Sequence, residues 1–165
     1  MSTRAGGVAL VGATITTGLS AGAFEVFGHT IMPGLKSTDD RTFVAAFQSI
    51  DRAIINPRFL GGTFFGALAL TAAAAIANRR ERHRAHIAGA LVLYLAAVII
   101  TMRVNVPLNN AIKTAGDPDR IDLTAVREAF DETRWARWNT VRSAAATSAF
   151  GLLAWALVQH DRTTD

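Results

Sequence analysis

Four stretches of this chain carry no charged side chain: residues 5–24, 59–77, 87–102 and 143–158, which are 20, 19, 16 and 16 residues long. A helix rises about 1.5 Å per residue, so crossing a hydrocarbon core of about 30 Å takes roughly 20 apolar residues. Two runs reach that length outright, and two fall short. Four such runs in 165 residues leave room for connections and little else. Half of the chain is apolar, and the mean hydropathy is positive at +0.25. The expected fold is therefore all-α: an integral membrane four-helix bundle in one domain over 1–165, with spans at about 5–27, 58–78, 86–109 and 138–159. A lipid bilayer is its expected surrounding.

The first run mimics a secretory signal, with Arg4 ahead of it and the small residues Ala21, Gly22 and Ala23 near its end. It is longer than the roughly 7–15 residues of a signal core, which makes a retained span the expectation. There is no cysteine. Disulfides, thiolate metal sites, iron–sulfur clusters and covalently attached haem are excluded with it. The formal charge of +4 would suggest nucleic acid in a water-soluble chain, but its placement points elsewhere, and no nucleic-acid partner is expected. Arg79, Arg80, Arg82 and Arg84 crowd the short connection 78–86 against Glu81 alone. Short arginine-rich loops stay on the cytoplasmic side. That places both termini in the cytoplasm, the two longer connections outside, and the protein in a bacterial plasma membrane. The C-terminal tail, with Asp161 and Asp165 against Arg162, gives this orientation no help.

Small residues four apart support close packing of the spans in lipid: Gly18 with Gly22, Gly62 with Gly66, and Ser143, Thr147 and Gly151. A homo-oligomer is left open. The two outer connections are not featureless. Phe43, Phe47, Ile50 and Ile54 repeat at helical spacing, after Ser37 or Thr38 as a cap and with Asp39 and Asp40 in the first turn. Pro57 then opens the second span. After a turn at Gly116 and Pro118, the residues Leu123, Val126 and Phe130 mark a second amphipathic helix that flows into span four. Trp135 and Trp138, beside Arg134 and Arg137, fit a membrane-interface belt there.

The two short runs now constrain function. To reach span length, the third must continue through Arg103, Asn105 and Pro107, and the fourth must begin near Trp138, Asn139 and Arg142. Polar groups at membrane depth cost a few kcal/mol unless they face the interior and find partners, so they mark functional sites. The alternating direction of the spans brings the others to the same outer end. Glu25 and His29 close the first span, four apart on one helix side. Gln48, Asp51 and Asn56 lie just before the second, and Asn105 and Asn109 flank Pro107 at the end of the third. Each has a plainer use. Arg103 and Arg142 can snorkel to the interface, and Asn105 and Asn109 can satisfy carbonyls freed by Pro107. Glu25 with His29 forms a simple ion pair or two ligands of a metal. His83 and His86 sit among arginines that repel a cation and are discounted as ligands, and His160 is expected to be solvated.

The segment Asn105, Val106, Pro107, Leu108, Asn109, with Trp138, Asn139 and Arg142 about thirty residues on and Gln48 upstream, resembles the DUF1772 family of small four-span membrane proteins. That family includes the anthrone oxygenases of aromatic polyketide pathways, and the similarity covers nearly the whole chain. Asp51 stands where the family often has an asparagine.

The resemblance implies oxidation of a lipophilic phenolic aromatic, such as an anthrone, to a quinone with molecular oxygen. Such an anion can pass an electron to oxygen directly, so a cofactor is not required; noncovalent haem or a metal, held by His29 with Glu25, is the alternative. The roles implied are His29 as base oriented by Glu25, Arg142, Asn105 and Asn109 as oxyanion donors, and Trp138 as a stacking wall. Asn139, Gln48 and Arg103 complete the substrate-binding candidates. A second class stays open beside the enzyme: a non-enzymatic bundle whose polar end binds a lipid or quinone, or docks onto a larger membrane complex. Ion transport is disfavoured, because acidic groups are missing from the span centres.

Overall fold

The computed structural model describes residues 4–161, and the tail residues Arg162 and Asp165 lie outside the described residues. Among the described residues there is no strand. Four helices are long and apolar enough to cross a membrane: Arg4–Lys36, Arg58–Ala77, Arg84–Lys113 and Leu123–His160. They run past the expected span ends because the polar segments at those ends remain helical. We number the helices α1 (Arg4–Lys36), α2 (Asp40–Ile54), α3 (Arg58–Ala77), α4 (Arg84–Lys113), α5 (Leu123–Phe130) and α6 (Glu132–Asp161). The two helices expected in the outer connections are α2 and α5.

Side-chain contacts show the four long helices in antiparallel order around a square. Along α1 and α3, Asn78 bonds to the Gly6 carbonyl and Ser20 to that of Thr63. Along α1 and α6, Gly18 abuts Phe150, and Asn139 bonds to the Phe24 carbonyl. Along α4 and α6, Gly89 faces Leu152, and Arg142 reaches Thr101. The bundle core is small and apolar, built from Leu10, Ala13, Ala67, Ala90, Ala149 and Leu153 with Tyr94 among them. Apolar side chains such as Val8, Ile15, Ile76 and Val92 also cover its outside, as expected of helices that are hydrophobic all round. Of the small-residue pairs, Gly18 sits at a close helix approach, whereas Gly22, Gly62 and Gly151 face open space.

A second apolar core lies beyond the bundle. Phe43, Phe47, Leu108, Ile112, Phe130 and Trp135 pack the ends of α1 and α4 against α2 and α5, forming a cap. The N-cap of α2 is Asp39, one residue later than expected, and its carboxylate accepts from the Thr42 N–H at 2.9 Å. Arg127 fastens the cap's outside. It stands 4.3 Å from the Phe43 ring centroid and pairs with both Asp40 and Glu132. Between α5 and α6 the chain bends at Asp131 (φ 48°), whose side chain caps α6 through the Arg134 N–H, so the two helices join through a corner. Gly116 takes φ 111° in the turn after α4, where a side chain would be strained.

Three helices widen into π-helical turns at the cap end: Phe27–Ile31 in α1, Arg58–Phe64 in α3 and Thr101–Asn105 in α4. Two of these end two residues before a proline, Pro33 and Pro107. A proline inside a helix clashes with the carbonyl four residues back, here those of His29 and Arg103. Admitting an extra residue into the turn carries the chain past that clash without breaking the helix. The asparagines expected to satisfy those carbonyls are engaged elsewhere.

Candidate functional site

Where the bundle core meets the cap, a cavity of about 250 Å³ opens between the helices. Its walls are mostly apolar, with Phe24, Ile54, Phe64, Met102 and Val106 among them. Its polar lining is short: Thr101, Asn109, Asn110, Asp51, Lys113, Arg142 and the indole of Trp135.

The helix α6 supplies the wall through one stripe. Trp135, Asn139, Arg142, Ala146, Ala149 and Leu153 follow one another at alternating steps of four and three, and all are buried. The same stripe that packs alanine and leucine into the bundle therefore carries an arginine inward at its upper end. Arg142 is only 7 % exposed. Its Nε and Nη2 donate to Asn139 Oδ1 at 2.9 and 2.7 Å, and its Nη1 to Thr101 Oγ1 at 3.3 Å. The guanidinium carbon stands 4.4 Å from the Phe24 ring centroid and 5.5 Å from that of Trp135. Among the described residues no carboxylate pairs with it. A guanidinium has five N–H donors, so one on each terminal nitrogen is left over. Burying a cation costs several kcal/mol, on the order of what a partner anion would return. Ring contacts of about 2 kcal/mol offset only part of that. The guanidinium therefore presents uncompensated positive charge at the cavity wall.

A second polar group stands on the same cavity. Asp51 from α2 is 6 % exposed; its Oδ1 accepts from Asn109 Nδ2 at 2.7 Å, and its Oδ2 lies 3.1 Å from Lys113 Nζ. Asn109 in turn accepts from Trp135 Nε1 at 2.8 Å, so α2, α4 and α6 are tied through one amide. Asp51 and Lys113 balance each other. With Arg142 they are the charged residues lining the cavity, which leaves a net charge of +1.

Of the residues expected at the site, Arg142 and Asn109 line the cavity; the others stand elsewhere. His29 and Glu25 form the expected ion pair at 2.9 Å, but the pair points outward, with the histidine side chain 77 % exposed. The α1 core stripe runs through Thr17, Ser20 and Phe24, and Glu25 follows about 100° around the helix, away from it. Trp138 is 39 % exposed and lies on the outer surface with Arg134 and Arg137; Trp135 takes the place expected for it. Arg103 is exposed and also outside the cavity. Asn139 lies behind Arg142, where it holds the guanidinium with its oxygen and the Phe24 carbonyl with its amide, 3.1 Å away. Gln48 is buried, and its amide bonds to the carbonyls of Ile112 and Gly116, each at 3.0 Å, securing the end of α4. Asn105 is buried between α4 and α6, donates to the Trp135 carbonyl at 3.4 Å and leaves Oδ1 without a partner.

Sequence reasoning passed over Trp135, Thr101 and Lys113 as site residues, and brought Asp51 to this end of the bundle without giving it a role. The signal for Trp135 was present, since it shares the four-three stripe with Asn139 and Arg142 while Trp138 falls off it. Lys113 and Asp51 meet only through the fold of the cap. Among the described residues no three His, Cys, Asp or Glu side chains gather as a metal site requires. At the opposite end of the bundle His83 is buried, and His160, expected to be solvated, is half-buried against it: the two rings meet edge-on at 5.3 Å. Burial is the main cause that lowers the pKa of His83 below its ordinary value, helped by the nearby His160 and His86.

No curated protein and no solved structure matches the chain. The family described as anthrone oxygenase matches residues 58–152, more than half of the chain and all of α3 and α4. It takes in Thr101, Asn109, Lys113, Trp135 and Arg142 of the cavity, and α6 as far as Leu152. The protein is a four-span membrane protein that belongs to the anthrone oxygenase family.

Proposed function

We propose that the cavity binds a flat, lipophilic hydroxylated aromatic of the anthrone class as its monoanion, and that molecular oxygen oxidises it there to the quinone. The observation that carries this reading is Arg142: a buried guanidinium, without a carboxylate, on the wall of an apolar slot. An anthrone that loses a proton from its central methylene places the negative charge on the ring oxygen. Two unused N–H donors on a planar cation suit such an oxygen. Phe24 and Trp135, both beside Arg142, give the ring system apolar faces. The volume of about 250 Å³ favours a compact ring system over a long acyl chain, since it falls just below the roughly 300–1,000 Å³ of sites for drug-sized ligands.

The overall change balances without another reactant. The methylene loses two hydrogens, one atom of the oxygen molecule becomes the new carbonyl, and the other leaves as water. Arg142 supports the step by stabilising the electron-rich anion from which oxygen takes an electron. Asn139 and Thr101 support it by holding the guanidinium in place.

The test is turnover of an anthrone under oxygen by the purified protein in lipid nanodiscs, followed by quinone absorbance. The wild type is expected to turn over, and Arg142→Met to lose at least a hundredfold while staying folded. Tight quinone binding without turnover by the wild type would instead support the binding-bundle alternative.

A further inference from the structure

The reaction requires a group that removes a proton from carbon, and the histidine that the sequence nominates stands outside the cavity. We propose that Asp51, which stands where the family often has an asparagine, is that proton acceptor in this chain, an inference that rests on the cavity being the site of anthrone oxidation. It is the one carboxylate among the cavity's lining residues, and it is buried with both oxygens placed. Asn109 donates to Oδ1 at 2.7 Å, and Lys113 stands 3.1 Å from Oδ2. Lys113 faces the cavity as the partner of Asp51, and an ammonium so paired has no lone pair to take a proton. Arg142 is a donor only. Thr101 donates its hydroxyl hydrogen bond to the Ala97 carbonyl at 2.8 Å, Asn109 and the Trp135 indole are occupied with each other, and Asn110 offers an amide, which is no base. By elimination among the lining groups, the carboxylate is the base.

The arrangement also explains how a carboxylate can take a proton from a carbon acid. When the C–H bond breaks, the proton moves to Asp51, and the electron pair moves through the ring to the oxygen at Arg142. One negative charge thus leaves a site beside Lys113 and appears at a site beside Arg142. The net charge of the cavity stays the same, so the step avoids the cost of creating charge in a space of low dielectric. The anion then passes one electron to oxygen, and the resulting superoxide joins the substrate radical at the former methylene carbon. The protonated Asp51 returns its proton to the new peroxide. Removal of the remaining C–H proton by the carboxylate breaks the O–O bond, forms the carbonyl and releases hydroxide, which takes that proton to leave as water. Asp51 ends as it began.

Proton transfer is separable from oxidation by excluding oxygen. The full-length protein in nanodiscs is given an anthrone in D2O under argon, and deuterium entry at the methylene is followed by NMR. The wild type is expected to accelerate exchange over empty nanodiscs, and Asp51→Asn to reduce it by about 10²–10⁴-fold, the usual worth of a general base. Binding of a hydroxyanthraquinone is expected to persist, tightened in Asp51→Asn by the added positive charge and within a few fold of wild type where the charge is balanced. Asp51→Asn leaves Lys113 unpaired, so Asp51→Asn with Lys113→Gln serves as a charge-balanced companion, with the same loss expected. Added formate is expected to restore part of the exchange in Asp51→Ala, which a structural role for Asp51 does not predict. Wild-type exchange rates in variants that still bind the quinone would overturn Asp51 as base and leave the cavity reading intact. A wild type that binds no anthrone or quinone would overturn both.

Discussion

Arg142 gives two of its N–H groups to a single acceptor, the Oδ1 of Asn139, at 2.9 and 2.7 Å. An amide oxygen takes both bonds where buried arginines ordinarily find a carboxylate. This neutral anchor fixes the guanidinium and leaves its charge uncompensated, so the charge is available to a ligand. Asn139 is itself fixed, because its amide donates to the Phe24 carbonyl across the α1–α6 contact.

Asn139→Asp therefore separates anchoring from charge. The aspartate keeps the acceptor and adds the missing counter-ion, turning the cavity neutral. The aspartate also gives up the bond to the Phe24 carbonyl, which offsets the gain from the new ion pair, so thermal stability in detergent is expected to stay near that of the wild type while affinity for an anionic aromatic drops at least tenfold. Isothermal titration with a deprotonated hydroxyanthraquinone, beside a melting curve, checks both.

Arg142→Met removes a buried cation and keeps an apolar side chain of similar reach. Removing a buried cation that has no carboxylate partner recovers several kcal/mol of desolvation, against about 1–3 kcal/mol for leaving the Asn139 oxygen without its donors. The expected result is a melting temperature equal to or above that of the wild type, with turnover lost. A large destabilisation would mean that Arg142 holds the fold instead of a ligand.

The two tryptophans should part company. Trp135→Phe loses the indole bond to Asn109, which frees Asp51's partner, and a net cost of about 1 kcal/mol with a several-fold fall in turnover is expected. Trp138→Ala and His29→Ala touch surface groups, and turnover close to wild type is expected from both. Parallel rate assays on the three variants are enough to decide.

The far end of the bundle carries the pH dependence. His83 lies in the connection 78–83, outside the spans, and burial with the neighbouring His160 and His86 lowers its pKa. The unfolded chain takes up a proton first, near the ordinary histidine value of about 6.5, so acid favours unfolding. Stability is expected to be level above that value and to decline as pH falls below it. His83→Gln is expected to flatten the decline in melting curves recorded between pH 5 and 8.

Much of the fold was legible because the constraint is coarse. Charge-free runs near twenty residues allow only helices, and Phe43, Phe47 and Phe130 at helical spacing announced the cap. The end of the bundle that holds the cavity was legible too, through Arg142, Asn109 and Asp51. Which side of each helix faces inward was harder. Spacing of four puts Glu25 and His29 on one side of α1 without saying which, and Trp138 fits Arg142 by that rule as well as Trp135 does. Only the full stripe down to Leu153 resolves the choice on α6. The π-helical turns before Pro33 and Pro107 add a residue to the local period, so simple helical spacing misplaces side chains on either side of them. Asp51 and Lys113 are 62 positions apart, and their meeting depends on how the cap folds.

The most direct measurement is the ionisation state of a bound ligand. A hydroxyanthraquinone changes colour when its phenol loses a proton, so the visible spectrum reports which form the protein holds. Bound to the wild type at a pH where the free compound is neutral, it is expected to show the anion's band, and Arg142→Met is expected to lose that band. A ligand held in its neutral form by the wild type, or an anion band undiminished in Arg142→Met, would contradict a cavity built around a cation awaiting its anion.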